Sequence, residues 1–263
     1  MARHSRLAVL CALVLGGVVD TAEAQERPYF VTYSDRLEEK GDLEVSLLST
    51  IGDVKSAPNY VAPWIEIEYG ITPRWTTEVY LEGVTINKDA SAFTGWRWES
   101  RFRPFAGEHF LNPVLYIEYE NVNEGSRIQK EIVGEGSTSR DPLGILKHEH
   151  AHELEGRLIL SKQVADWEMA GNAIFEKNLS ADEGLEYGYA AAASKRIGHF
   201  IAGVEAYGGL GASNPEFEQT RHFIAPILGW RVSKGLLKGS VGFGVTAASE
   251  RYLFRIGYSL DLW

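Results

Sequence analysis

Glutamate and arginine at alternating positions carry most of the chemistry this sequence could do. Glu66 and Glu68, Glu78 and Glu82, and Glu118 and Glu120 are each spaced by an even number of residues, and Arg97, Glu99, Arg101 and Arg103 share one parity. On an extended backbone, residues two apart point to the same face. These groups would therefore line one surface, carboxylate against guanidinium. Guanidiniums hold carboxylates in a two-pronged geometry, and a buried pair that loses one partner is strongly destabilised. The pattern predicts a Glu-Arg-Glu ladder, with Arg97, Arg101 and Arg103 between Glu78 and Glu82 on one side and Glu118 and Glu120 on the other. Such a ladder can prop a narrow polar interior, or act as a constriction whose pairs exchange while a solute passes.

A second cluster is Lys147-His148-Glu149-His150-Ala151-His152-Glu153. On a strand, His148, His150 and His152 share a face, and imidazoles so placed can ligate zinc, copper or nickel. Parity with Leu154 puts them on the outer face, where a solvated strand extension is the competing reading. The spacing is not that of the helical HExxH zinc motif. Serine and histidine are not paired for hydrolysis. His222 has no serine nearby in sequence, and Ser194 and His199 straddle a predicted turn. Neither an enzyme nor a cofactor is expected.

The elements that must position these groups are strands. In the last residues, Phe254, Ile256, Tyr258, Leu260 and Leu262 alternate with Arg255, Gly257, Ser259 and Asp261, and Trp263 follows. The same alternation recurs along the chain and predicts about twelve strands. Their apolar faces include Leu43, Val45 and Leu47 in the first, Ile65, Ile67 and Tyr69 in the second, Trp96, Trp98 and Phe102 in the fourth, and Ile224, Leu228 and Trp230 in the tenth. Tight connections such as Gly70-Ile71-Thr72-Pro73-Arg74 and Ser233-Lys234-Gly235 follow even-numbered strands, and longer polar ones follow odd-numbered strands. This asymmetry predicts an all-β, transmembrane, antiparallel up-and-down β-barrel rather than a sandwich. Pro226 falls inside the tenth strand and predicts a bulge or a shifted strand end there.

Composition agrees. Hydrophobic residues make up 44% of the chain, which would suit a soluble domain, but only alternate residues of a barrel face lipid. The net charge of -10 excludes nucleic acid as a natural partner. Arg3, Arg6, the apolar run from Leu7 to Val19 and Ala22-Glu23-Ala24 predict a cleaved signal peptide over residues 1–24, which holds Cys11, the one cysteine. Residues 25–40, with Tyr29, Phe30 and Tyr33, read as a periplasmic N-terminal segment that either plugs the mouth of the barrel or trails from it. Residues 41–263 are the barrel, and the long loop over residues 121–147 would be extracellular.

Trp64-Ile65-Glu66-Ile67-Glu68-Tyr69-Gly70-Ile71-Thr72-Pro73-Arg74-Trp75, Gly95-Trp96-Arg97-Trp98-Glu99-Ser100-Arg101-Phe102 and Pro113-Val114-Leu115-Tyr116-Ile117-Glu118-Tyr119-Glu120 resemble strands of Gram-negative outer-membrane proteins. The group they resemble is the MetA-type phenol-degradation-pathway family. The resemblance covers most of the chain after the signal peptide and implies a channel or uptake barrel for small, including aromatic, compounds. One departure is Trp263, which is out of phase with Leu260 and Leu262.

If the apolar positions face lipid, the interior carries fourteen acids against seven bases, an excess that favours cations. The expected function is passage or uptake of a small solute through a charged, cation-leaning lumen. A non-conducting structural or adhesive barrel with an ion-paired core is the first alternative, and a lipid-modifying outer-membrane enzyme the second. Expected partners are outer-membrane lipid and lipopolysaccharide, the barrel insertion machinery, which would read Trp263, and the solute.

Overall fold

The computed structural model describes residues 27–53, 59–86, 90–123, 126, 150–182, 184–212 and 217–262. The predicted signal peptide, His148, Trp263 and most of the long loop lie outside the described residues. Twelve antiparallel strands form the chain: β1 Leu43–Asp53, β2 Tyr60–Thr72, β3 Trp75–Ile86, β4 Ala90–Phe102, β5 Asn112–Asn123, β6 His150–Val164, β7 Trp167–Asn178, β8 Glu186–Ile197, β9 Phe200–Gly211, β10 His222–Val232, β11 Gly235–Gly244 and β12 Tyr252–Asp261. Each pairs with its neighbours in sequence, and β1 pairs with β12, so the sheet closes. Closure removes the free edges that would otherwise leave backbone groups unpaired. No helix of the described residues is long and apolar enough to cross a membrane.

Alternation decides which way each side chain points. In β2, Tyr60, Ala62, Trp64, Glu66 and Glu68 are buried, while Val61, Pro63, Ile65, Ile67 and Tyr69 are exposed. The outer surface is consequently apolar: Leu47, Leu115, Leu228 and Ile256 are each more than half exposed. That surface suits lipid and not water. Trp75, Trp98, Phe102, Trp167, Phe200 and Trp230, also exposed, fall near the short-turn ends of their strands. There an aromatic ring can keep its polar edge at the headgroup level.

The turns at Pro73-Arg74, Ala165-Asp166, Gly198-His199 and Ser233-Lys234 are two residues long. Ala165, Gly198 and Ser233 have φ of 53°, 61° and 57°, the left-handed backbone that tight hairpins need. The predicted disruption at Pro226 is not a bulge. β10 stays paired to β9 through Pro226↔Val204, and its register with β11 is the same on both sides of Ala225 and Pro226, where no pairs form. The ladder on one side simply omits the proline. An irregularity does occur at Glu82/Gly83, opposite Gly95, whose φ of 150° and proximity to Asn121 leave no room for a side chain.

Residues 27–38 lie inside the barrel, and Glu39 and Lys40 emerge from it. Tyr29, Val31, Thr32, Tyr33, Ser34 and Leu37 are all buried although none belongs to a strand. The segment folds back on itself. Arg36 and Glu38 contact Glu168 and Thr76, near the short-turn ends of β7 and β3, and Tyr29 returns to Ser194 near the same end of β8. Its apex, around Val31, reaches an apolar collar at the long-loop end made by Tyr60, Val84, Ile86, Ile174, Tyr207, Phe223 and Leu253. The collar is an apolar patch in an otherwise charged interior, and buried polar groups flank it at the same end, among them the Arg221–Glu250 pair at 2.8 Å.

Candidate functional site

Inside the barrel, strand register brings acids directly opposite acids. Asp261 pairs with Glu44, Glu44 with Glu68, Glu68 with Glu78, Glu78 with Glu99, Glu99 with Glu118, Glu118 with Glu155, Glu155 with Glu176, and Glu176 with Glu186. The row runs unbroken from β12 through β1 to β8. Because the strands tilt, it winds from the short-turn rim towards the long loops. Like charges directly opposite one another are destabilising, so such a row requires counter-charges.

Arginines supply them from adjacent positions on the same inner face. Arg101 reaches Glu68, lies 3.2 Å from Glu78 and 2.7 Å from Glu99. Arg97 lies 2.7 Å from both Glu82 and Glu118, and Arg157 binds Glu155. The predicted contacts of Arg97 therefore form diagonally, since its direct register partners are Tyr80 and Glu120. Arg103 does something else: it donates to the carbonyl of Asp35 in the lumenal segment. Glu66 accepts from the Trp64 indole at 2.7 Å and lies 3.5 Å from Arg27.

The lumenal segment is held chiefly by its main chain. The Glu205 carboxylate accepts from three successive backbone N–H groups, those of Phe30 at 3.1 Å, Val31 at 3.0 Å and Thr32 at 2.8 Å. Consecutive N–H groups converging on one anion form a nest. Asn172 accepts from the Tyr33 N–H at 2.7 Å and donates to the Tyr33 carbonyl at 2.8 Å. Lys238 donates to the carbonyls of Arg27 and Tyr29, both at 3.2 Å, and Arg157 to that of Val31 at 3.0 Å. Side chains add to this. The Tyr33 hydroxyl donates to Glu99 at 2.8 Å, and the guanidiniums of Arg27, Arg157 and Arg101 lie 4.1, 4.9 and 5.2 Å from the centre of its ring. Such contacts are worth more when desolvated.

Outside the strands, two carboxyls of this system have shifted proton affinity. Burial, then Glu68, Glu44 and Asp261, push Glu38 up to about 9 against the opposing pull of Arg101. On the exposed turn between β4 and β5, hydrogen bonds from Lys162 and Asn112 hold Glu108 below the usual carboxylate range.

The histidines sit elsewhere. His150 and His152 are exposed on the outer face, with Nδ1 atoms 2.7 Å from Asn121 Oδ1 and 2.5 Å from the Tyr119 hydroxyl. Among the described residues, the group close enough to hold a metal is instead Glu120, Glu155 and Glu176, with oxygens within 4.8 Å of one another. Sequence spacing could not find this trio, which register assembles from three strands. Sequence also missed a hydroxyl–imidazole contact, Thr220 Oγ1 to His222 Nε2 at 2.8 Å, because Thr220 precedes its strand. The serine beside His222 is Ser249, which bonds its backbone and not its ring.

No family model and no curated protein matches this chain. Solved structures do. The COG4313 outer membrane channel from Pseudomonas putida F1 gives a TM-score of 0.52 at 12% identity over 87% of this chain and 97% of that one. The KdgM porin gives 0.51 at 10% identity over 84% of this chain and 99% of that one. Outer membrane phospholipase A from Escherichia coli gives 0.43 at 11% identity over 85% and 94%. This chain therefore has the fold of Gram-negative outer-membrane β-barrels. At 12% and 10% identity, the likeness to the channel and the porin shows the fold alone.

Proposed function

We propose that this chain is an outer-membrane channel or uptake barrel for a small solute, closed in the state described here by residues 27–38. The observation that carries the reading is that the lumen is filled by a segment outside the sheet, held by non-covalent polar contacts, so that its departure would open a path lined by the carboxylate row. The path would prefer cations along that row. In the resting state the collar packs around Val31 and blocks the path towards the long loops. The apolar outer face supports residence in the outer membrane, in contact with lipid and lipopolysaccharide. The resemblance to the MetA-type family makes small aromatic compounds the first solutes to test.

A second reading, a barrel that never conducts, is favoured by the ion pairs of Arg97 and Arg101, which would prop the interior without any traffic through it. Planar-bilayer recordings of the full chain and of Tyr33→Ala separate the two. The channel reading expects rare openings in the wild type, long-lived steps in the variant and a cation-selective reversal potential. Silence from both, with heat-modifiable folded barrels in hand, refutes it in favour of the second reading.

A further inference from the structure

We propose that the barrel wall is a peptide-binding site that recognises main chain, and that residues 27–38 are its resident occupant. This goes beyond passage of a solute and does not require conduction.

Buried backbone must always find partners. Here they come from side chains dedicated to the task. Among the described residues, every hydrogen bond of Glu205 and of Lys238 runs to the main chain of the lumenal segment, and both residues are almost wholly buried. With the segment seated, a carboxylate and an ammonium withdrawn from water need hydrogen-bond partners, and the main chain of the segment supplies them. It gives N–H groups to the one and carbonyls to the other. Asn172 pairs with both main-chain groups of one residue, as a neighbouring strand would. None of these contacts depends on which side chains the peptide carries, and this is how peptide-binding proteins obtain affinity, with side-chain pockets adding selectivity. Two side-chain pockets are demanding: that of Tyr29, fully buried with its hydroxyl 2.8 Å from Ser194 Oγ, and that of Tyr33, whose ring packs edge-on against Tyr116 at 5.1 Å and whose hydroxyl lies 2.8 Å from that of Tyr80. The ligand class is thus a short peptide without secondary structure of its own, carrying one tyrosine before and one after the N–H groups bound by Glu205.

The test uses the full chain with Thr32→Pro, which deletes one of the three N–H groups on Glu205 and leaves the wall untouched. The probe is a fluorescent synthetic peptide of residues 27–38, followed by anisotropy in detergent micelles. Saturable binding is expected, at least tenfold tighter than to the wild type, whose tethered segment competes at an effective concentration on the order of mM. Peptide N-methylated at Phe30, Val31 and Thr32 should lose binding, whereas peptide with alanine at Phe30 and Thr32 should keep it to within tenfold. Adding Glu205→Gln to Thr32→Pro should weaken binding by about 30-fold or more. If Thr32→Pro reduces the yield of folded barrel, Tyr33→Ala serves as the displacing variant. No saturable binding to a folded variant, or equal binding of the N-methylated peptide, overturns the inference. Because the readout is binding, silence in the bilayer would leave this result intact.

Discussion

Replacing Glu205 with glutamine is expected to release the lumenal segment. The carboxylate takes three charge-assisted bonds, with Oε1 accepting from Val31 and Thr32 and Oε2 from Phe30. A hydrogen bond to a charged group contributes about 1.5–3 kcal/mol, and a neutral one about 0.5–1.5 kcal/mol. Glutamine keeps one acceptor oxygen, so two bonds weaken by about 1 kcal/mol each. Its NH2 group meets the remaining N–H donor to donor, and that bond is lost. The amide is easier to bury than the carboxylate, which offsets part of the loss and leaves about 2–4 kcal/mol against the seated state. At 1.4 kcal/mol per factor of ten, the released population should rise about 30- to 700-fold. Ser34, 2% exposed, is the place to read this. The chain without its predicted signal peptide has no other cysteine, so Ser34→Cys gives a single thiol that a water-soluble maleimide reaches only when the segment leaves. When reseating is fast, the labelling rate follows the released population. Rates within twofold of each other in Ser34→Cys and Ser34→Cys/Glu205→Gln, both folded, would refute the latch.

Asn172→Leu should raise the same labelling rate about 10- to 100-fold, since two hydrogen bonds to Tyr33 disappear at about 1 kcal/mol each. Arg101→Ala leaves Glu68, Glu78 and Glu99 without their shared partner and should lower the stability of the folded barrel by about 3–5 kcal/mol, measured as a shift in the urea midpoint in lipid vesicles. An unchanged midpoint would mean that the row carries protons instead of charge. The segment should seat less firmly as pH rises. Glu38, facing Glu68, Glu44, Asp261 and Arg101, holds its proton up to about 9 when seated but gives it up near the usual 4.5 when released, so seating is strongest below that lower value and weakens between the two. Ser34→Cys labelling, corrected for the free thiol, should therefore accelerate from pH 6 to pH 8.5, and Glu38→Gln should flatten the profile.

The barrel was legible in the sequence because its outer face obeys one rule. Leu47, Ile65, Trp98, Leu158, Phe175 and Leu228 alternate with inward residues, and lipid outside fixes their parity. The turn rule held for the connections after β2, β6, β8 and β10, but the connection over residues 103–111 after β4 is longer, and that over residues 87–89 after β3 shorter, than it expects. The carboxylate row was not legible, because parity says which face a residue occupies and not which residue of the next strand it meets. That pairing depends on turn geometry and on the irregularity at Glu82/Gly83, which sets the register of β3 against β4. Pairing by charge complementarity led to Arg opposite Glu, which register gives for Arg97 and Glu120, but register also placed Glu99 opposite both Glu78 and Glu118, and the ion pairs of Arg97 and Arg101 run diagonally. The lumenal position of residues 27–38 had a weaker signal still, with no alternation and no helical period. Its aromatics, Tyr29, Phe30 and Tyr33, hinted at burial without saying against what.

The charges of the segment explain why the wall tolerates so many acids. Arg27 lies 3.5 Å from Glu66 and 4.0 Å from Glu78, and Arg36 lies 2.5 Å from Glu168. The segment thus carries two of the bases that balance the wall, and it delivers them only when seated. Its departure would remove both at once. The closed state gains from ion pairs that the open state lacks, because Arg27 and Arg36 meet wall carboxylates only when seated. Cation preference and closure then arise from the same residues. Neutralising Arg27 and Arg36 should loosen the segment while leaving the selectivity of the opened path unchanged, whereas neutralising Glu66 and Glu168 should alter both.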